Sequence, residues 1–448
     1  MDKIIHSFSD LVWSDALIYL CLITGLYFSI RTGFLQVTYL KDMVRLLFSK
    51  NESDKGISSF QAFSLAISGR VGTGNIVGVA TAIAMGGPGA VFWMWLIAFL
   101  GSASAFVEAT LGQLYKQESN GEYRGGAAYY IEKGLGVKWY AVLFAVLTII
   151  STGLLLPGVQ SNSIASAVNN SFSIGTEHYN FPLIGELPVN YVGILIIVLN
   201  IKEVPSVFKL IFSSAFNMNA TFSGIFGMAI AWGVKRGIYS NEAGQGTAPH
   251  AAAAAEVKHP AQQGLVQAFS VYIDTLFVCS ATAFIILFTG QYNVLGPNDT
   301  YLVQNVPGID YTGFTQAAVS HVFPGIGKQF VAFALFFFAF TTIMAYYYYA
   351  ETNISYLIKS GNKKTYIWIL RVIFLFAAYF GTVKEAKIAW ALGDLGVGLM
   401  AWVNIIAILL LGNVTLKVWK DYKLKKKSGN MYFNSKEAGI KNADFWEK

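Results

Sequence analysis

Two stretches of this sequence place glycines and polar groups where an apolar helix would otherwise run. The first reads Ser68-Gly-Arg-Val-Gly-Thr-Gly-Asn-Ile-Val-Gly78. Glycine is a poor helix former, and Thr73 and Asn75 sit among four glycines here, so the run reads as an unwound stretch. Unwinding inside a membrane frees N–H groups that can hold a carboxylate and carbonyls that can hold a small hard cation. The competing reading, close helix packing through the Gly74 and Gly78 pair, leaves Arg70, Thr73 and Asn75 unexplained. The spacing GxGxxxG, with no soluble strand before it, does not match a dinucleotide fingerprint.

The second stretch is Gly233-Val-Lys-Arg-Gly-Ile-Tyr-Ser-Asn-Glu-Ala-Gly244, followed by an alanine run to Glu256. An apolar half-helix, a glycine-rich break and an alanine-rich half-helix fit a second discontinuous span. An ordinary cytoplasmic loop beginning at Lys235 fits the composition about as well. Two such breaks in comparable places in two halves of a chain point to a transport site. Phe338, Thr341 and Thr342 lie about one helical turn apart in a charge-free span. Their hydroxyls and a freed carbonyl make an oxygen set for a hard cation, unless the threonines simply bond their own helix. Asp274 lies mid-span, where a carboxylate is costly and usually functional. It reads as an ion ligand, a proton carrier or, slightly preferred, a structural partner for Arg70 or Arg236. Gln160, after Pro157 and Gly158, points to the bundle centre. Glu108 and Asp394 stand nearer span ends, where a polar cavity or snorkelling accounts for them.

These groups need a bilayer to position them. Of 448 residues, 54% are hydrophobic and 13% charged, about half the charge a soluble domain uses. Apolar runs near the about 20 residues that cross a bilayer are expected at 11–30, 58–86, 88–115, 139–168, 189–201, 212–234, 264–290, 329–350, 365–382 and 388–412. Leu11 to Ile30 reads as a retained first span. Trp93, Trp95, Trp139 and Tyr346 to Tyr349 read as interfacial belts. Two cysteines and five histidines form no metal-ligand pattern, so neither metalloenzyme nor redox chemistry has support. Nine lysines between Asn413 and Lys448 read as a topology signal that can also rest on anionic lipid, rather than a nucleic-acid site. Basic residues at 31–57 and 116–138 and their scarcity at 157–188 and 291–328 place the N-terminus outside and the C-terminus in the cytoplasm. The count then fails by one: between the outer segment near residue 170 and Lys258 an odd number of crossings is required, and two candidates are present.

The sequence resembles the alanine/glycine:cation symporters, also called sodium:alanine symporters. The resemblance rests on Ser68 to Ala80, Gly86 to Trp95, Leu156-Pro-Gly-Val-Gln-Ser-Asn-Ser163, the Arg-Gly-Ile-Tyr-Ser-Asn-Glu-Ala-Gly core within Gly233 to Pro249, and Ala339 to Thr342. It implies an all-α polytopic plasma-membrane protein, with a leucine-transporter-type inverted-repeat helix bundle behind one extra N-terminal helix. The whole chain, 1–448, would be one transporter domain: a first repeat at 58–215, a second at 216–412 and a basic tail at 413–448. It implies sodium-coupled uptake of alanine or glycine, with no organic cofactor, no enzymatic activity and no obligatory protein partner. Thr73, Gly74, Asn75 and Gln160 would then hold the substrate, with Gly237, Tyr239 and Asn241 as the opposite wall. Sodium would sit among Ser68, Val71, Phe338, Thr341 and Thr342. The sequence departs from the family at Leu183 to Val189, which runs directly into what resembles the fifth helix of the first repeat. The fourth is absent, and residues 183–201 are expected to insert without crossing.

Three other readings fare less well. A channel would need a ring of equivalent filter residues, and no such repeat is visible. A membrane enzyme would need a nucleophile–base pair or metal ligands. A transport-impaired relative, kept as a substrate-binding sensor or scaffold, is the alternative that the absent helix favours.

Overall fold

A backbone in hydrocarbon has no water to bond, so long apolar runs must fold as helices. The structure, a computed structural model, describes residues 2–49, 55–119, 121–172, 201–297, 300–359 and 362–447. Among these, seven helical stretches are long and apolar enough to cross a bilayer: Ile4–Thr32, Ala90–Leu114, Lys138–Ser171, Pro260–Thr289, Gly327–Leu357, Lys363–Val383 and Ala386–Ser428. The chain is therefore a polytopic helical membrane protein. Residues 183–200, which carry nearly all of the segment expected not to cross, lie outside the described residues.

The chain opens with α1 (Asp2–Val12) and α2 (Asp15–Thr32). A Ser58–Gln61 capping box starts α3 (Ser59–Arg70), and after the break a π-turn at Gly74–Gly78 leads into α4 (Val79–Gly86). Next come α5 (Ala90–Leu114), α6 (Lys138–Ile150) and α7 (Leu156–Phe172). The second half holds α8 (Val204–Ala215), α9 (Phe226–Asn241), α10 (Ala248–Ala254), α11 (Pro260–Val271) and α12 (Ser280–Thr289). It closes with α13 (Gly327–Leu357), α14 (Lys363–Val383) and α15 (Ala386–Ser428). Two short antiparallel hairpins, Gln117–Ser119 with Glu122–Arg124 and Asn293–Leu295 with Tyr301–Gln304, lie in the connections.

The most central helix is α5, which packs against α2, α9, α10 and α11. Helix α7 packs against α13, α14 and α15, and α3 lies against α13. On α14, Trp368, Leu375, Phe376 and Tyr379 are exposed, as a lipid-facing helix requires.

Three expectations need correction. Residues 212–234 are not one span, because α8 ends at Ala215 and α9 starts at Phe226. Lys235 is no loop residue but is buried within α9. Tyr346 and Tyr349 are buried in the bundle rather than in a belt, whereas Trp139 is exposed as expected.

The last helix outruns its apolar segment and carries the lysines to Ser428. The chain then folds back. Phe433 N–H donates to the Lys258 carbonyl at 3.0 Å, and Trp446 Nε1 donates to the Gln113 carbonyl at 3.0 Å. Asp444 pairs with Lys133 at 2.6 Å, and the Lys116 ammonium lies 4.3 Å from the centre of the Phe445 ring. The tail thus straps the end of α5 to the α10–α11 connection. Trp446 is a buried anchor of the strap, and truncating a buried Trp costs about 3–5 kcal/mol. Trp446→Ala is expected to free the strap, so that limited trypsinolysis cuts at Lys436 and Lys441 well before the unmutated protein is cut.

Candidate functional site

The first break begins where α3 stops at Arg70. Gly72 N–H donates to Asn75 Oδ1 at 2.9 Å, and Thr73 N–H donates to Gln160 Oε1 at 3.2 Å. Side chains therefore replace the helical acceptors that the break has lost. Thr73, Asn75 and Gln160 are all buried.

Beside it, the Thr342 hydroxyl lies 2.9 Å from the Ser68 carbonyl, 3.0 Å from that of Phe338 and 3.3 Å from that of Val71. A hydroxyl has one proton to donate, so it cannot satisfy three carbonyls at once. Four oxygens converge, and the Ser68 and Val71 carbonyls lie at the break, which is chemistry suited to a hard cation. Thr341 stands apart. It is exposed, and its hydroxyl bonds the Phe338 carbonyl at 2.9 Å from the other side. Gly72 separates the two sets: a Cβ there would come within 2.5 Å of Thr342 Oγ1 and 3.1 Å of Gln160 Oε1.

The opposite wall is partly as expected. The Tyr239 ring lies against Gly74, where a Cβ would stand 3.3 Å from it, and against Trp390 at 5.1 Å between centroids. The Tyr239 and Thr73 hydroxyls face each other without good hydrogen-bond geometry, and neither has another partner. Gly237 and Asn241 do not join them. Gly237 faces Ile97 and Met94 on α5. Asn241 donates to Thr275 Oγ1 at 3.2 Å and accepts from Ala243 N–H at 3.0 Å. The reason is that α9 continues through Gly237 to Asn241, and the second break falls later, at residues 242–247.

That break is held from outside. Glu108 on α5 accepts from Gly244 N–H at 3.2 Å and from Gly246 N–H at 3.1 Å, and also from Asn404 Nδ2 at 2.8 Å. Asn404 bonds the Gly244 carbonyl too, at 2.9 Å, and is itself fixed by the Tyr130 hydroxyl. Gly246 has φ +82°, and a Cβ there would run into Phe144 and Asn404.

Asp274 is not an arginine partner. It accepts from Asn75 Nδ2 at 2.6 Å, Thr275 Oγ1 at 2.8 Å and Ser240 Oγ at 2.9 Å, and so ties the first break to the end of α9. Arg236 pairs with Asp394 through two bonds of 2.7 and 3.0 Å, joined by Lys235 at 2.9 Å. The Arg236 guanidinium also lies 4.6 Å from the Trp390 ring and 5.0 Å from that of Trp232. Asp394 and Glu108 are thus buried structural acids, not snorkelling ones. Ser240 and Asn404 were missed as site builders. Asn404 stands as a lone polar residue in an apolar run, and Ser240 lies inside the glycine-rich stretch already singled out.

Two interrupted helices packed beside each other, with a carbonyl cluster at one of them, are the arrangement on which membrane transport proteins build their sites. Comparison with known proteins agrees. The chain matches the sodium:alanine symporter family over residues 1–185 and 183–436, and it belongs to that family. It is 56% identical, over 100% of its length and 98% of the relative's, to the "Putative sodium/proton-dependent alanine carrier protein" of Bacillus subtilis strain 168. It is 47% identical to the sodium/proton-dependent alanine carrier protein of Bacillus sp. strain PS3, over 90% of this chain and 97% of the relative. It is 36% identical to the sodium/alanine symporter of Methanococcus maripaludis, over 95% and 98%. The family match breaks in two at residues 183–185, and the alignment with the B. subtilis relative needs 474 positions for the 448 residues of this chain. The excess is longer than the about 20 residues of one crossing helix.

Removing Asp394 would leave two buried cations without their counter-charge. Stripping one partner from a buried ion pair costs about 3–5 kcal/mol. Asp394→Asn should therefore lower the unfolding temperature in detergent well below that of a surface control such as Glu437→Gln.

Proposed function

We propose that this chain is a secondary symporter that couples inward sodium movement to uptake of alanine or glycine by alternating access. The carrying observation is the Thr342 hydroxyl set among the Ser68, Val71 and Phe338 carbonyls, one residue away from the Gln160-bound first break. In this reading sodium occupies that carbonyl set. The substrate carboxylate lies at Thr73, Gly74 and Asn75 beside Gln160, and Tyr239 closes the other side. Gly237 and Asn241 support the wall from behind. The names of the relatives, sodium/proton-dependent alanine carriers and a sodium/alanine symporter, support this choice of ion and substrate.

The fold proposed with it is a leucine-transporter-type pair of inverted repeats, 58–215 and 216–412, in the plasma membrane. The N-terminus lies outside, and the first repeat is one helix short. The split family match at 183–185 supports the missing helix. If residues 183–201 insert without crossing, cysteines placed at Lys202 and Lys258 should both label from the cytoplasmic face. Labelling from opposite faces would remove this topology.

The function is tested by uptake of labelled alanine into proteoliposomes with and without an inward sodium gradient at constant pH. Sodium-driven accumulation is expected. A hydrogen bond or ligand contact to a charge is worth about 1.5–3 kcal/mol, and every 1.4 kcal/mol is about tenfold. Thr342→Ala should thus raise the sodium concentration for half-maximal uptake by about tenfold or more. Thr341→Ala, on the exposed face, should change it by less than about threefold. Equal, small effects from both would remove the carbonyl set as the coupling-ion site. Alanine binding without any uptake would favour the sensor reading.

A further inference from the structure

Glu242 follows α9 in the left-handed region, with φ 56°, and is 1% exposed. Its Oε2 accepts from the Thr247 hydroxyl at 3.0 Å, while its Oε1 has no hydrogen-bond partner. The Tyr349 hydroxyl and the Nε and Nη2 of Arg70 also lack partners, although both residues are buried. Arg70 spends its Nη1 on the Gln267 carbonyl and the Ser270 hydroxyl. A Cβ on Gly69 would lie 2.7 Å from the Tyr349 hydroxyl and 3.4 Å from Glu242 Oε2. The Tyr349 hydroxyl and the Glu242 carboxyl therefore both approach α3 at Gly69, the neighbour of Arg70, and Tyr349, Glu242 and Arg70 each keep an unpaired polar atom. Each costs about 1–3 kcal/mol while unsatisfied.

The charge count points the same way. Arg70 is the cation that acts on three buried carboxyls, Glu108, Glu242 and Asp274. Glu108 and Asp274 each take three donors, which suits their ionised forms. Glu242 takes one. A sodium ion among the Ser68, Val71 and Phe338 carbonyls would add one positive charge and still leave one negative charge uncovered. The other titratable groups that act on Glu242 are the neutral phenols of Tyr239, Tyr346 and Tyr349. Lys235 and Arg236 are already engaged by Asp394.

We infer that Glu242 is a proton-binding residue of the transport cycle, an inference that rests on the symport reading. An O–H bond of hydronium breaks as the Oε1–H bond forms and leaves neutral water, and the reverse transfer later returns the proton to water. Neutral Glu242 turns Oε1 into a donor for the unpartnered Tyr349 oxygen. Ionised Glu242 is a counter-charge for the free Nε and Nη2 of Arg70. The two charge states thus select different partners for a residue that sits in the second break.

The test uses the full-length protein in proteoliposomes that hold a lumenal pH dye, under a voltage clamp set by potassium and valinomycin. Alanine uptake and lumenal pH are followed together across a range of external pH. The unmutated protein is expected to give an alanine-dependent pH signal, with half-maximal sodium shifting by up to about tenfold per pH unit for one linked proton. Glu242→Gln should keep alanine binding, lose the pH signal and flatten that shift to less than about twofold. Glu242→Asp should keep the signal with a displaced midpoint, which a purely structural role would not produce. An unchanged pH signal and profile in Glu242→Gln would overturn the inference. So would sodium-driven uptake by the unmutated protein with no proton signal, which leaves symport standing. Absence of sodium-driven uptake by the unmutated protein would instead overturn the symport reading and this inference with it.

Discussion

The structure depends on one constraint: a peptide group inside the bilayer that loses its helical partner must find another. Both breaks are stable because side chains from other helices supply those partners. At the second break, Glu108 takes the N–H groups of Gly244 and Gly246 while Asn404 covers the Gly244 carbonyl. At the first, Asn75 and Gln160 receive Gly72 and Thr73 N–H, and Thr342 meets the Ser68 and Val71 carbonyls. Only the first break ends its carbonyls at a hydroxyl, which a cation can join. The second is held at Gly244 and Gly246 by a carboxylate and an amide.

Buried charge follows the same economy. Asp394 answers both Lys235 and Arg236, and ring faces of Trp232 and Trp390 cover what the carboxylate does not. Asp274 has no cation within ion-pair distance among the described residues and relies on three neutral donors. One acid locks a helix pair together, and the other links the two breaks. A single mid-span carboxylate in the sequence could not be assigned between these roles, because the choice depends on which helix lies opposite.

Local chemistry was therefore legible, and partnership was not. The glycines around Thr73 and Asn75 announce their own break, since weak helix propensity acts where it stands. The Phe338 and Thr342 spacing likewise fixes a face of one helix. Gly237 misled for the same reason. It looks like a break from within its own segment, but Ile97 and Met94 on α5 pack so closely there that the position needs a glycine inside a continuous helix. The break belongs instead to Gly244 and Gly246, which have positive φ and external partners. Residues 212–234 passed as one apolar span because hydropathy averages across the turn at 216–225. The tail was read as charge alone, whereas Phe433 and Trp446 make it a strap. Four aromatics after Ser428 in a basic segment, Tyr432, Phe433, Phe445 and Trp446, were the available signal.

In the proposed symport cycle, the coupling of ion to substrate would reduce to the backbone between Ser68 and Asn75. The proposed cation set uses the carbonyls of Ser68 and Val71, and the proposed substrate set begins at Thr73. Gly72 lies between them with no room for a side chain, because Thr342 and Gln160 both close on it. Anything that draws the Ser68 and Val71 carbonyls inward must therefore turn the next two peptides, whose N–H groups face Asn75 and Gln160. Two ligands that order the same eight-residue stretch share its ordering cost, and each then raises the affinity of the other by the same factor. The helix proposed to be missing from the scaffold is no part of that stretch. On the proposed reading, recognition and coupling would follow from the Ser68–Asn75 segment and its two side-chain clamps, while the scaffold would decide whether the closed state can reopen on the other side.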